Sequence, residues 1–197
     1  MKYVKEFLNY FKSFPTFSAK DVKLFLRKNG AGKDYYKIFM HNLLNSKRVF
    51  SIKKGYYSLY DDPMIMGFAF SPFYYGLETA LTYYKLWDYM TPITIITSKK
   101  VRSGFRTLYG RKVNIRRISK SAFFGYSMVP YKDDIYVPMA DVEKTLLDFI
   151  YFNSDISDDV FQNLLKKCNK KKLETYVRKN YTSRIKRRIY VTIKSKN

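Results

Sequence analysis

Apolar side chains recur with a helical period through the first part of the chain and then give way to alternation. Residues 4–14 make a short amphipathic opener. Ser18, Ala19, Lys20 and Asp21 start a second, capped helix that ends at Asn29 and Gly30. Across residues 33–46, Tyr36, Phe39, Met40, Leu43 and Leu44 fall at i, i+3, i+4, i+7 and i+8, the spacing of one apolar stripe on a third helix. The opposite face holds Asp34, Lys37, Ile38, His41, Asn45 and Arg48, with Tyr35 and Asn42 at its edge. Residues 49–60 then read as strand, turn and strand with Lys53, Lys54 and Gly55 at the tip.

That order of parts predicts a winged helix-turn-helix over residues 1–62. Its expected partner is double-stranded DNA, with the third helix in a major groove, where a mixture of cationic and amide side chains meets both phosphates and base edges. Gly32 and Lys33 at the helix start suit a backbone phosphate.

The remaining residues, 63–197, interleave strands and helices without a regular βαβ rhythm, which predicts a mixed α+β class for the whole chain. Asp61, Asp62 and Pro63 turn the chain out of the hairpin. A helix over 76–86 has Leu77, Ala80, Leu81 and Tyr84 on one face; strands follow at 92–97, 112–118 and 136–138, the first two separated by a basic loop, 98–106. Met139, Val142, Leu146, Phe149 and Ile150 share a helix face whose outer side is expected to show Asp141, Lys144 and Asp148. Another helix is expected over 159–167. In residues 188–194, Ile189, Val191 and Ile193 alternate with polar neighbours as a half-buried strand would.

Charge supports a polyanionic partner and divides the chain. The net charge is +22, and it sits at the two ends: Lys and Arg outnumber Asp and Glu by 13 to 3 in residues 1–60 and by 13 to 1 in 161–197, while 61–160 balance at 12 each. Within that middle, residues 99–120 hold nine basic and no acidic side chains, so Lys99, Lys100, Arg102 and Arg106 join the candidate DNA contacts. Binding dominated by such a field is steeply salt-dependent. The 46% apolar content suffices for packed cores. No apolar run is long enough to span a membrane, which places the expected site of action in the cytoplasm. The single cysteine, Cys168, allows no internal disulfide and no multi-thiolate zinc site; Lys166, Lys167 and Lys170 around it could lower the thiol pKa, but the expected reading is an incidental thiol on or under a basic helix.

Asp133, Asp134, Glu143 and Lys144 invite comparison with a metal-dependent nuclease. Such an enzyme needs carboxylates on adjoining strands with a lysine two residues from one of them, whereas Glu143 and Lys144 are neighbours on an expected helix. His41 has no acid–base partner legible in the sequence, and no glycine loop for phosphate is present. The expectation is a protein that is not an enzyme and has no cofactor.

Four stretches in order resemble the AbiEi family: Lys54 to Leu59 in the hairpin, Tyr75 to Tyr84, Pro92 to Ser98 with its basic continuation, and Met139 to Asp148. Each is weak alone, and together they span most of the chain. AbiEi proteins are antitoxins of type IV toxin–antitoxin systems associated with phage defence. The resemblance implies an N-terminal winged helix that represses its own promoter by binding inverted repeats. It also implies a C-terminal domain that counters a nucleotidyltransferase-like toxin of the AbiEii kind. Two alternatives stay open at this point: a stand-alone transcription regulator, and an RNA-binding protein using Tyr176, Tyr181 and Tyr190 as stacking platforms.

Overall fold

The computed structural model describes residues 2–108, 110–132 and 135–196. Asp133 and Asp134 therefore lie outside the described residues. The chain is mixed α+β, as its patterning implies.

Helices α1 (Val4–Phe11), α2 (Ala19–Lys28) and α3 (Tyr35–Asn45) surround one apolar cluster, and strands β1 (Phe17–Ser18), β2 (Phe50–Lys53) and β3 (Tyr56–Ser58) form an antiparallel sheet in the order β1-β3-β2. Phe7 is the hub of that cluster, with the rings of Phe11, Phe17, Phe25 and Phe39 at 4.7 to 5.5 Å. Helix α2 begins where the sequence places it because Ser18 and Asp21 form a reciprocal capping box: Asp21 accepts from the Ser18 amide at 2.7 Å, and Ser18 Oγ accepts from the Asp21 amide at 3.3 Å. Helix α1 is shorter than the expected 4–14, and α3 starts at Tyr35 rather than at residue 33.

A 3-10 helix, Pro63–Phe70, opens the second part, started by Asp62 accepting from the Met64 amide at 2.8 Å. It leads to β4 (Phe73–Tyr75), α4 (Glu78–Tyr83), β5 (Ile93–Thr97), β6 (Gly104–Leu108), β7 (Arg111–Arg117), β8 (Tyr126–Lys132) and β9 (Ile135–Ala140). The six strands make one mixed sheet ordered β6-β7-β5-β4-β9-β8, with β4–β9 and β5–β7 parallel. Period-two alternation in β4 sorts its rings between the two faces. Tyr75 turns to the 3-10 helix, where its hydroxyl meets the Gly67 amide at 3.1 Å and the Met64 carbonyl, while Tyr74 turns to α5 (Val142–Phe152), where its hydroxyl donates to Asp148 at 2.9 Å. Helices α6 (Asp158–Lys167), α7 (Lys170–Asn180) and α8 (Ser183–Ser195) then pack around α5.

Several expectations need correction. Residues 188–194 belong to α8 rather than to a strand. Burial follows Ile185, Ile189 and Ile193 at four-residue spacing, and Val191, which a strand would have buried, is 59% exposed. The basic stretch 98–106 is a loop only to Ser103; Gly104 to Arg106 pair with β7. The helix expected over 76–86 is confined to Glu78–Tyr83. Strands β1, β4, β6 and β8 and helix α7 have no counterpart among the expected elements. On α5, Lys144 and Asp148 do not face outward; both side chains are fully buried.

The two parts share a wall. Val49, at the root of the hairpin, belongs to the first apolar cluster, and Ile52, three residues on, belongs to the second. Tyr131 donates to the Asp62 carboxylate at 3.0 Å, and Arg111 lies 3.6 Å from Asp61.

Candidate nucleic-acid interface

Helix α3 buries Phe39, Met40 and Leu43 of the expected stripe and half-buries Tyr36 and Leu44, which fixes the orientation of the opposite face. Asp34, Lys37, His41, Asn45 and Arg48 are exposed there, and so is Lys33 just before the helix. Asn42 is half-buried at the edge. His41 Nε2 and Asn45 Nδ2 are 2.9 Å apart, so one turn of the helix presents a paired imidazole and amide. Ile38, at 62% exposure, is an apolar side chain in the middle of this polar face and could meet a thymine methyl.

Tyr35 departs from the expected role. It is half-buried, its ring edge-on to Tyr3 at 5.9 Å and tilted against Phe39 at 5.7 Å, and it braces α3 against α1.

The hairpin turn is short. Gly55 takes φ +78°, the left-handed region that side chains disfavour, and its carbonyl accepts from the Ala19 amide at 2.9 Å. The tip therefore lies beside the start of α2. Lys54 is exposed, as a phosphate contact requires. Lys53 is already engaged within the chain, because its ammonium donates to the Ala69 carbonyl and lies 4.4 Å from the ring centroids of both Tyr56 and Phe70. Burial lowers the Lys53 pKa, and repulsion from Lys99 and Arg106 lowers it further. Lys99, Lys100 and Arg102 are exposed; Arg106 is half-buried and donates to the Arg102 carbonyl at 2.6 Å.

The stretch from Asp141 to Asp148 has a different character. Asp141 caps α5, accepting from the Lys144 amide at 2.7 Å, and takes Tyr176 Oη at 2.7 Å and Lys172 Nζ at 3.0 Å on its other oxygen. Glu143 accepts from the Asn169 amide at 2.7 Å and pairs with Lys172 at 2.8 Å. Burial would raise the Glu143 pKa, but Lys172 and the Asn169 amide outweigh it and hold the carboxyl below its ordinary range. Lys144 Nζ donates to Asp148 Oδ1 and to Tyr181 Oη at 3.3 Å, with Tyr74 satisfying Asp148 Oδ2. Burial pushes the Asp148 carboxyl up against the pull of Lys144. Gly125, at φ +71°, passes so close that an added Cβ would lie 2.9 Å from Lys144 Cβ. These charged groups tie α7, the Tyr181 that follows it and the sheet to α5.

Two further expectations change. Burial and the nearby Glu143 and Asp141 carboxylates push the Cys168 thiol up to about 12, so the surrounding lysines do not make it a thiolate. Of the three tyrosines considered for stacking, Tyr181 is buried and Tyr176 is committed to Asp141; Tyr190 alone of these is exposed. The sequence hid the Lys53 clamp because its partner is a backbone carbonyl sixteen residues away. The Lys144–Asp148 pair was signalled only by i, i+4 spacing, which surface pairs share. Among the described residues, no helix is long and apolar enough to cross a membrane, and no group of three His, Cys, Asp or Glu side chains is placed to hold a metal.

No protein-family model and no curated protein sequence matches the chain. Among solved structures, the fold is similar to that of the RV2827C protein from Mycobacterium tuberculosis, with a TM-score of 0.59 at 16% sequence identity over 92% of this chain and 72% of that one. At that identity the likeness is one of fold.

Proposed function

We propose that residues 1–62 are a winged helix-turn-helix and that the chain is a DNA-binding autorepressor and antitoxin of the AbiEi kind, countering a nucleotidyltransferase-like toxin. The observation that carries the DNA-binding reading is the exposed face of α3, where Lys37, His41 and Asn45 stand on a helix locked in place by its buried stripe. Its support comes from the neighbouring parts: the capped α2, the left-handed turn at Gly30, the sheet order β1-β3-β2, and a hairpin tip that sets Lys54 beside the start of α2. In this reading α3 reads base edges, Lys33 and Lys54 hold phosphates, and the loop with Lys99, Lys100 and Arg102 extends the footprint along the backbone.

The antitoxin assignment rests on the resemblance alone. Within the last of the four stretches, Asp141, Glu143, Lys144 and Asp148 serve here to hold α5 in place, which agrees with a role that does not depend on catalysis.

Gel shifts on the DNA upstream of the chain's own reading frame test the first half. Lys37→Ala and His41→Ala are each expected to cost about 1–3 kcal/mol of specific binding if the residue meets a base edge. Unchanged affinity in both would remove α3 from the reading role. Co-expression with a toxin encoded beside it tests the second half: the full chain relieves growth arrest. Promoter binding without relief would leave a stand-alone regulator.

A further inference from the structure

Helices α6, α7 and α8 leave a groove of about 480 Å³ between them, lined by none of the residues of the N-terminal face described above. Its floor is apolar: Leu173, Val177 and Ile189 are buried beneath it, and Tyr190, 55% exposed, extends that surface outward along α8. Its rim is cationic, with Lys166 from the end of α6 and Lys170 from the start of α7 both exposed. Glu174 adds a carboxylate to the lining, within a segment, residues 161–197, that has 13 basic side chains to 1 acidic.

We propose that this groove docks an amphipathic helix of a protein partner, an apolar stripe flanked by Asp or Glu. Shape and charge each narrow the choice. A trough between helices is the form that receives one face of another helix through anchors at i, i+3, i+4 and i+7. A basic rim admits a carboxylate-flanked stripe and repels a lysine-flanked one. A single-stranded nucleic acid would share the charge preference but needs successive exposed rings to stack on, and among the described residues the lining offers the ring of Tyr190 alone.

The test uses the full chain and a fluorescein-labelled designed peptide of about five helical turns, leucines on one face and glutamates on the other. A scrambled peptide of the same composition is the control. The amphipathic peptide is expected to bind about tenfold or more tightly than the scrambled one, a difference of about 1.4 kcal/mol. The Lys166→Glu, Lys170→Glu double variant, altered only at exposed positions and checked for unchanged circular dichroism, is expected to lose that advantage. Equal binding of both peptides would overturn the proposal, since the surface would then be a charge attractor without a groove preference. Displacement of the peptide by a single-stranded oligonucleotide that depends on the same two lysines would assign the groove to nucleic acid. A wild-type dimer in light scattering that Tyr190→Glu converts to a monomer would assign it to a second copy of this chain.

Discussion

Lys144 and Asp148 are the most consequential pair at the level of single residues, because two charges with no exposed side-chain surface are paired with each other in the interior. Removing one partner of a buried pair leaves the other desolvated, at a cost of about 3–5 kcal/mol. Lys144→Met is therefore expected to lower the urea midpoint sharply, and Lys144→Met with Asp148→Leu to recover part of the loss, as denaturant unfolding at neutral pH will show. If the double variant is no more stable than the single one, the uncompensated charge is not the source of the damage. Cys168 gives a second expectation at this scale. A thiol with its pKa pushed up to about 12 is almost fully protonated at neutral pH, so alkylation by iodoacetamide should be slow in the folded chain and fast once it is unfolded. Neither outcome could be read from sequence. Lys144 and Asp148 stand at a spacing equally suited to a solvated face, and only the arrival of Tyr74 and Tyr181 from elsewhere in the chain makes them interior.

At the scale of elements, α7 is fastened to the start of α5 by Lys172 bridging Asp141 and Glu143, with the Asn169 amide on Glu143. The two shifts act at opposite ends of the pH range. Glu143 has a depressed pKa in the folded chain, so its contribution is present above the ordinary carboxylate value and is lost as pH falls through the folded one. Lys172 has a raised pKa, so its contribution is present below the ordinary lysine value and is lost only as pH rises through the higher folded one. Amide-exchange protection in α7, relative to the intrinsic rate at each pH, should fall as the pH drops below the ordinary carboxylate range, and Glu143→Gln should show the lower protection already at neutral pH. The gain is modest because the Lys172 side chain is 42% exposed. This is also the scale at which sequence reading succeeds and fails most plainly. The elements of the N-terminal part are legible because caps, stripes and turn glycines are local signals. Helix α8 reads as a strand because Ile189, Val191 and Ile193 satisfy a period of two as well as Ile185, Ile189 and Ile193 satisfy a helical one. What decides between them is the packing of α8 against α5, an element remote from it in sequence.

The whole molecule sets the salt response. In the DNA-binding reading, α3, the hairpin tip and the loop 98–103 act on one duplex, and each phosphate neutralised adds about 0.9 to the slope of log affinity against log salt. Replacing Lys99, Lys100 and Arg102 together by glutamine should flatten that slope by about two to three, while Lys37→Ala should shift affinity more for the cognate sequence than for random DNA. A slope untouched by the triple change would confine the footprint to the N-terminal part. Lys53→Ala should act chiefly by loosening the hairpin from Ala69 and Phe70.

The hairpin between Val49 and Ser58 belongs to both apolar clusters at once, and this bears on how the chain comes apart. Unfolding the N-terminal helices strips Val49 and its strand of their support, which uncovers Ile52 and opens the second cluster; loss of the second cluster likewise releases Lys53 and frees the hairpin to fray. Two cores that share a strand melt as one cooperative unit rather than as beads on a string. Calorimetry should accordingly find a single transition whose van't Hoff and calorimetric enthalpies agree, and Ile52→Ala should split it in two.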